Sequence, residues 1–211
     1  MRRFVVIGQK ATASGEFSLI DLAGTSGRLD VLLRCLRAAL LVSHGLRGDT
    51  VVYLVLLGGE HAPRTLRIEG AIVRFLRPDE RTLAVLAQKM LSVPRGGDGF
   101  VVVRRGLAIA DGGLETVLED LGPATHYVLE EGAPDVRDAS IDLVDPVFFV
   151  GDHLGFDDAT RARLAGLSAK PIGLGPTSIH ADDAIAVLSN ELDRRGAARL
   201  ELERVLGRVG S

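Results

Sequence analysis

An α/β fold is predicted by three features of the sequence. First, the apolar runs Phe4 to Ile7, Val51 to Leu57 and Val147 to Val150 are β-rich and do not alternate with polar residues. Such runs fit strands buried on both faces, hence a parallel or mixed sheet covered by helices. Second, segments with a helical apolar period separate these runs. Third, three strand ends meet glycine or acidic loops: Leu129-Glu130-Glu131-Gly132, Val150-Gly151-Asp152 and Leu174-Gly175-Pro176. In open α/β sheets that is where ligands bind.

Taken in order, Arg2 to Gly8 is the first strand. Residues 9 to 27 form a long polar loop, of the length that in compact domains usually carries function. Arg28 to Leu46 reads as a helix through Leu29, Leu32, Leu33, Leu36 and Leu40, stopped by Gly45 and Gly48. Val51 to Leu57 is a strand closed by Gly58-Gly59. Leu66 to Leu76 reads as a hairpin turning at Glu69-Gly70, a small antiparallel excursion from the parallel pattern. Pro78-Asp79 opens a helix of about fourteen residues. Val101 to Val103 and Leu107 to Ile109 are short strands around Arg104-Arg105. Leu114 to Leu121 is a helix and Tyr127 to Leu129 a strand. After Val147 to Val150 come a short charged helix, a second apolar run ending in Gly173-Leu174-Gly175-Pro176, and a helix from His180 to Arg195. Thr177 or Ser178 is its expected N-cap, and Asp182 and Asp183 suit its dipole. A last helix is expected over Ala198 to Val205. No linker or repeat divides the 211 residues, so one domain over 1–211 is expected.

Composition narrows the function. No apolar run approaches the ~20 residues that cross a bilayer, and the basic start MRRFVVIGQK lacks a signal-peptide core, so a cytoplasmic protein is expected. The single cysteine, Cys35, excludes a disulfide framework within the chain. The five histidines show no metal spacing, and no metal is expected. The net charge of −3 gives no bulk case for nucleic acid, but its distribution is uneven. Residues 1–105 hold 16 Lys and Arg against 9 Asp and Glu; residues 106–211 hold 9 against 19. An anionic partner on the N-terminal half and simple solvated helix faces both fit this pattern. Lys10, Arg28 and Arg34 are the candidate phosphate contacts.

Neither a GxGxxG nor a Walker pattern is present. Backbone groups of the three glycine loops would instead hold a nucleoside-like ligand, with ordinary strand-to-helix turns as the alternative. Asp21 stands in the long loop between apolar residues that pin it, where a carboxylate can act as a base or orient a substrate edge.

The segments RRFVVIGQKATASGEFSLIDLAGTSGRLDVLLRC and SIHADDAIAVLSNELDR, with VVYLVLLGG, FLRPDERTLA, LEEG and DPVFFVGDH between them, resemble the TrmY-type tRNA pseudouridine N1-methyltransferases of the SPOUT superfamily. The resemblance covers nearly the whole chain. It implies a SPOUT-like fold with a deep trefoil knot over about residues 126–195, a homodimer, and S-adenosylmethionine as cofactor. It also implies a tRNA T-loop as partner and methyl transfer to N1 of pseudouridine at position 54. By position, it assigns Leu129, Gly151, Gly173, Leu174, Gly175, Pro176, Thr177 and Ala184 to the cofactor and Asp21 to the target base. Archaeal members usually read His-Ala-Asp-His-Cys-Ile where this chain reads His180-Ala181-Asp182-Asp183-Ala184-Ile185. Ala184 thus replaces a cysteine and Asp183 a histidine. A SPOUT-fold protein with another RNA target, or without this activity, is the alternative reading.

Overall fold

The computed structural model describes the backbone of residues 1–209 and the side chains of residues 1–198. Its centre is β1 (Arg2–Thr12), whose Phe4, Val5, Val6 and Ile7 are all buried, on both faces of the sheet. β1 pairs in parallel with β4 (Thr50–Gly58) on one side and β9 (Pro146–Gly151) on the other. The eight-stranded sheet runs β10-β8-β9-β1-β4-β5-β7-β6. β8 (Thr125–Leu129) and β10 (Lys170–Ile172) extend the parallel half. β5 (Arg64–Glu69), β6 (Val101–Arg104) and β7 (Leu107–Ala110) form an antiparallel half.

Because side chains alternate across a strand, β1 feeds two cores. Phe4 and Val6 join a core with Leu29, Leu32 and Leu36 of α2 (Leu29–Leu40), Leu83 and Ala87 of α3 (Glu80–Leu91), and Ile185 and Leu188 of α6 (Ala181–Val209). Val5 and Ile7 face the other core, under Val117 and Leu121 of α4 (Leu114–Leu121) and Leu164 of α5 (Asp158–Gly166). The chain leaves β1 through α2 toward β4, and leaves β9 through α5, on the other face, toward β10. The boundary between β1 and β9 is therefore a topological switch point, and the crevice lies beyond the C-terminal ends of those strands.

Five expectations are corrected. The hairpin expected over Leu66 to Leu76 is absent: β5 pairs with β4 and β7 instead. After Glu69 the chain makes a turn closed by Val73 N–H donating to Glu69 O (2.9 Å), and Gly70 lies tight against the Arg47 and Thr50 carbonyls. The antiparallel excursion consequently reaches Ala110. The helix expected to Leu46 stops at Leu40, because Leu41 is extended and begins β2 (Leu41–Val42), paired with β3 (Gly45–Leu46). The long loop contains α1 (Leu22–Thr25). Thr177 and Ser178 do not cap α6; the helix opens after His180, whose carbonyl accepts from Ala184 N–H (2.8 Å), and the Ser178 hydroxyl bonds Glu131 instead. The helix expected over Ala198 to Val205 is a continuation of α6, and nearly all of its side chains lie outside those described.

Candidate active site at the sheet crossover

The long loop 13–28 closes over the C-terminal end of β1. Thr12 N–H donates to Ser26 O (2.9 Å), the buried Ser26 hydroxyl donates to Leu22 O (2.6 Å), and Leu29 N–H donates to Ser26 Oγ (3.1 Å). Phe17 and Leu22 are buried, and Gln88 of α3 donates to the Gly15 and Phe17 carbonyls. Between these anchors Asp21 caps α1, accepting from Gly24 N–H at 3.1 Å, and its carboxylate is exposed. Of the apolar residues around Asp21, Phe17 and Leu22 pin the loop as its sequence predicts, and the acid stays accessible. Ile20 beside it is 95% exposed. The Lys10 side chain is exposed at the same strand end.

Arg28 and Arg34 do not stand free. Asp30, at the start of α2 and 3% exposed, accepts from Arg28 Nε (2.9 Å) and Nη2 (3.1 Å) and from Arg34 Nη1 (2.8 Å). Burial alone would raise the Asp30 carboxyl, but the two hydrogen-bonded guanidiniums outweigh it and hold the pKa below the usual carboxylate value. Arg34 also approaches Asp182 of α6 and Glu80 of α3, each at 3.7 Å. Two cations and one buried anion form a fixed unit linking three helices at the crevice. Arg28 itself sits in the left-handed region at φ 68°, which a non-glycine residue adopts only where the surroundings enforce it. The spacing of Asp30 and Arg34, i and i+4, was the available signal for this unit.

Across the switch point, Asp152 follows Gly151 and is 7% exposed. It accepts from Gln9 N–H and Leu154 N–H, each at 2.8 Å, tying the end of β9 to the end of β1. Gly151 fills a place where a Cβ would lie 2.8 Å from Gly155, and Gly173 one where a Cβ would lie 2.4 Å from the Ala133 carbonyl oxygen. These glycines are required by close chain-to-chain packing. Gly175 differs: its φ is +115° and open space surrounds it, so its backbone is the part of the loop free to meet a ligand.

The remaining expected residues fall as follows. Leu129 ends β8 opposite Ile172 of β10. Gly173 donates to Pro134 O (2.8 Å) and accepts from Val136 N–H (2.8 Å), so the loop after β8 grips the chain leaving β10. Pro176 and Thr177 are exposed, and Ala184 is 8% exposed on the inner face of α6. A groove of about 710 Å³ runs between Val136, Arg137, Leu174–Pro176 and the Val187–Arg194 side of α6. It shares only the Leu174–Pro176 rim with the expected cofactor residues. Among the described residues no group of His, Cys, Asp and Glu is arranged to hold a metal, and no helix is long and apolar enough to cross a membrane. Cys35 is buried, and burial pushes its thiol pKa up, as for an inert core residue.

A parallel-dominated sheet with helices on both faces and a crevice at its switch point defines an open α/β protein of the kind that carries its ligand site there. Residues 1–197 match the family described as "Putative SAM-dependent RNA methyltransferase", and the chain belongs to that family. Among its curated relatives, the tRNA (pseudouridine(54)-N(1))-methyltransferase of Methanosarcina acetivorans is 40% identical over 202 residues, 96% of this chain and 95% of that one. The protein of the same name from Halobacterium salinarum is 40% identical over 198 residues, 93% and 98% of the two chains. The crystal structure of Archaeoglobus fulgidus Nep1 bound to S-adenosylhomocysteine matches with a TM-score of 0.63 at 16% identity, over 93% of this chain and 99% of that one. At that identity the likeness establishes a shared fold.

Proposed function

We propose that this chain methylates N1 of pseudouridine 54 in tRNA. The observation that carries the proposal is the 40% identity to a tRNA (pseudouridine(54)-N(1))-methyltransferase over 96% of this chain, with the loop bearing Asp21 and the Arg28-Asp30-Arg34 unit lying together beyond the C-terminal end of β1. The cofactor residues would be Leu129, Gly151, Gly173 to Thr177 and Ala184, with S-adenosylmethionine supplying the methyl group. Chemically, the crevice suits a nucleoside: it offers exposed backbone and flanking carboxylates, and the Gly175 segment leaves room beside it.

N1 of pseudouridine is an imide-like nitrogen. Its proton must leave as its lone pair takes the methyl, and the sulfonium becomes the neutral thioether of S-adenosylhomocysteine. Asp21, exposed and held by the cap on α1, accepts or directs that proton and passes it to solvent. Lys10, Arg28 and Arg34 hold the RNA backbone. Asp30 fixes the direction of the two arginines, so the target is positioned by rigid groups.

The reading includes a deep trefoil knot and a homodimer, with one domain over 1–211 in the cytoplasm. Supporting the knot, the loop after β8 holds Gly173 from both sides, and Arg195 of α6 donates to the Ala139 and Arg137 carbonyls (2.8 and 3.2 Å) and bonds the Val136 carbonyl of the same loop. These bonds hold both the chain leaving β10 and α6 against the loop after β8. Supporting the dimer, Ile179 and Val187 are exposed apolar side chains on α6 and its approach, 40% and 41% accessible.

Ala184 and Asp183, where relatives resembling this chain carry Cys and His, favour a second reading: a cofactor-binding protein with a different RNA target. Calorimetry with S-adenosylmethionine and S-adenosylhomocysteine, then incubation with tRNA carrying pseudouridine 54, separates the two. N1-methylpseudouridine in the product is the expected result. Cofactor binding with unmodified tRNA would move the assignment to the second reading, and absence of cofactor binding would sink both.

A further inference from the structure

We propose that the far end of the antiparallel half, built on Phe75 with Arg74, Arg77, Arg104 and Arg105, is a second RNA-contact surface. It grips tRNA away from the reacting base, and it rests on the reading of the chain as a tRNA methyltransferase. Phe75 is 86% exposed, with a φ of 61°. For a bulky side chain that backbone conformation is an outlier, and strain of this kind clusters at ligand-handling positions. The conformation turns the ring outward while the neighbouring Val73 is 1% exposed in the core. The Arg104 guanidinium lies 5.8 Å from the Phe75 ring centroid.

The arrangement is fixed from beneath. Gly106, between β6 and β7, has a φ of +79° and packs so closely on Val73 that a Cβ would lie 2.5 Å from its nitrogen. The turn carrying Arg104 and Arg105 is therefore seated on the loop carrying Arg74, Phe75 and Arg77. All four arginines are exposed. Among the described residues none of them has a carboxylate oxygen within 4.0 Å, whereas Arg28, Arg34, Arg64 and Arg67 all do. The acid nearest to Arg77 in sequence, Asp79, spends its carboxylate capping α3, accepting from Thr82 N–H at 2.8 Å. Four unpaired guanidiniums around one outward phenyl ring suit RNA: an unstacked base lies on the ring and phosphates meet the arginines. Val102, 67% exposed on β6, adds apolar area on the same hairpin.

The surface is remote from the candidate active site. Glu69, where this loop begins, pairs with Val51 at the first end of β4, and the crevice lies beyond the other end. A strand of that length spans about 27 Å, so the contact falls on a part of the tRNA other than the reacting loop.

The test uses the full chain and a fluorescein-labelled tRNA transcript containing pseudouridine 54. Phe75→Ala is expected to weaken tRNA binding about tenfold, the scale of one lost base stack, with saturating kcat and cofactor affinity unchanged. Phe75→Trp is expected to restore binding. The double change Arg104→Gln and Arg105→Gln is expected to lower the salt slope of log Kd by about 1.4, two phosphate contacts to a single strand. Unchanged tRNA affinity in both variants overturns the proposal. So does a shift in oligomeric mass in Phe75→Ala, which assigns the face to a protein contact. If the wild-type protein binds tRNA without methylating it, the enzymatic reading fails while the surface is still judged by these variants.

Discussion

Two ends of the sheet treat arginine in opposite ways. At the C-terminal ends of the parallel strands, Arg28 and Arg34 share the buried Asp30 and Arg34 reaches toward Asp182 and Glu80. At the far end of the antiparallel strands, Arg74, Arg77, Arg104 and Arg105 are exposed, with no carboxylate oxygen of the described residues within 4.0 Å. Paired charge gives up long-range attraction and gains a fixed direction, which a reacting centre needs. Unpaired charge keeps its attraction and its salt dependence, which suits capture of a polyanion. A count of basic residues in the N-terminal half cannot tell these uses apart; the placement of their partners can.

That contrast can be broken from either side, and the largest effect is expected at Asp21. Asp21→Ala removes the carboxylate from the exposed cap, and the methylation rate should fall about 10²- to 10⁴-fold. S-adenosylmethionine affinity by calorimetry should stay within about twofold. A large affinity loss would show that Asp21 builds the cofactor site and does not serve the base.

Next comes Gly173→Val. Its branched side chain must enter space that the Ala133 carbonyl already occupies, with the Cβ position 2.4 Å from that oxygen. Overpacking of this kind costs about 1–3 kcal/mol or more, so a lower Tm and weakened cofactor binding are expected. A variant with wild-type Tm would mean that the loop over Gly173 is not tightly closed.

Asp30→Asn tests the paired unit. The two guanidiniums left behind are 43% and 35% exposed, so solvent screening reduces the cost of losing the Asp30 charge to about 1–2 kcal/mol. The pH dependence follows from the lowered Asp30 pKa. A folded-state pKa below the unfolded one contributes stability that is present above the unfolded value, about 3.9, and lost as pH falls through the folded value. The stability gap between wild type and Asp30→Asn should therefore be full at pH 7 and shrink below about pH 4, as urea melts at each pH will show. A gap of the same size at pH 7 and pH 3 would contradict the pairing.

The smallest effect is expected for Ala184→Cys. Ala184 is 8% exposed on the inner face of α6, and adding one sulfur there should change stability by no more than about 1 kcal/mol. A raised methylation rate in this variant would show that the thiol of the relatives matters to the reaction.

The parallel half was largely legible from the amino acids. Phe4 to Ile7, Val51 to Leu57 and Val147 to Val150 are buried on both faces, and a strand of that kind writes a continuous apolar run. The antiparallel half was read less well. Ile72 and Val73 look like a strand, but Val73 serves as a single plug under the turn at Gly106, and an apolar pair does not say whether its backbone is laddered. A helix start was legible where a side chain caps, as at Asp79. One was missed at α6, where the Ser178 hydroxyl turns to Glu131. The glycines at 151 and 173 were seen as ligand approaches; a Cβ there would also meet Gly155, in the turn that follows Gly151, and Ala133, a contact across forty residues that no local pattern encodes. Asp30 escaped notice because a carboxylate on a helix is ordinarily solvated.

The position of β1 has a consequence for how the chain is made. Of the strands in this sheet the central one is synthesised before the rest, and its two neighbours arrive very unequally: β4 ends at Gly58, while β9 is complete only at Gly151. During synthesis β1 can pair on one side early and must wait about ninety residues for the other. For that interval one edge of this strand, with its apolar run Phe4 to Ile7, is an open template for pairing with another chain. Nascent or truncated forms ending before Val147 are expected to aggregate, even though they carry every residue of the N-terminal loop and the basic unit at the start of α2.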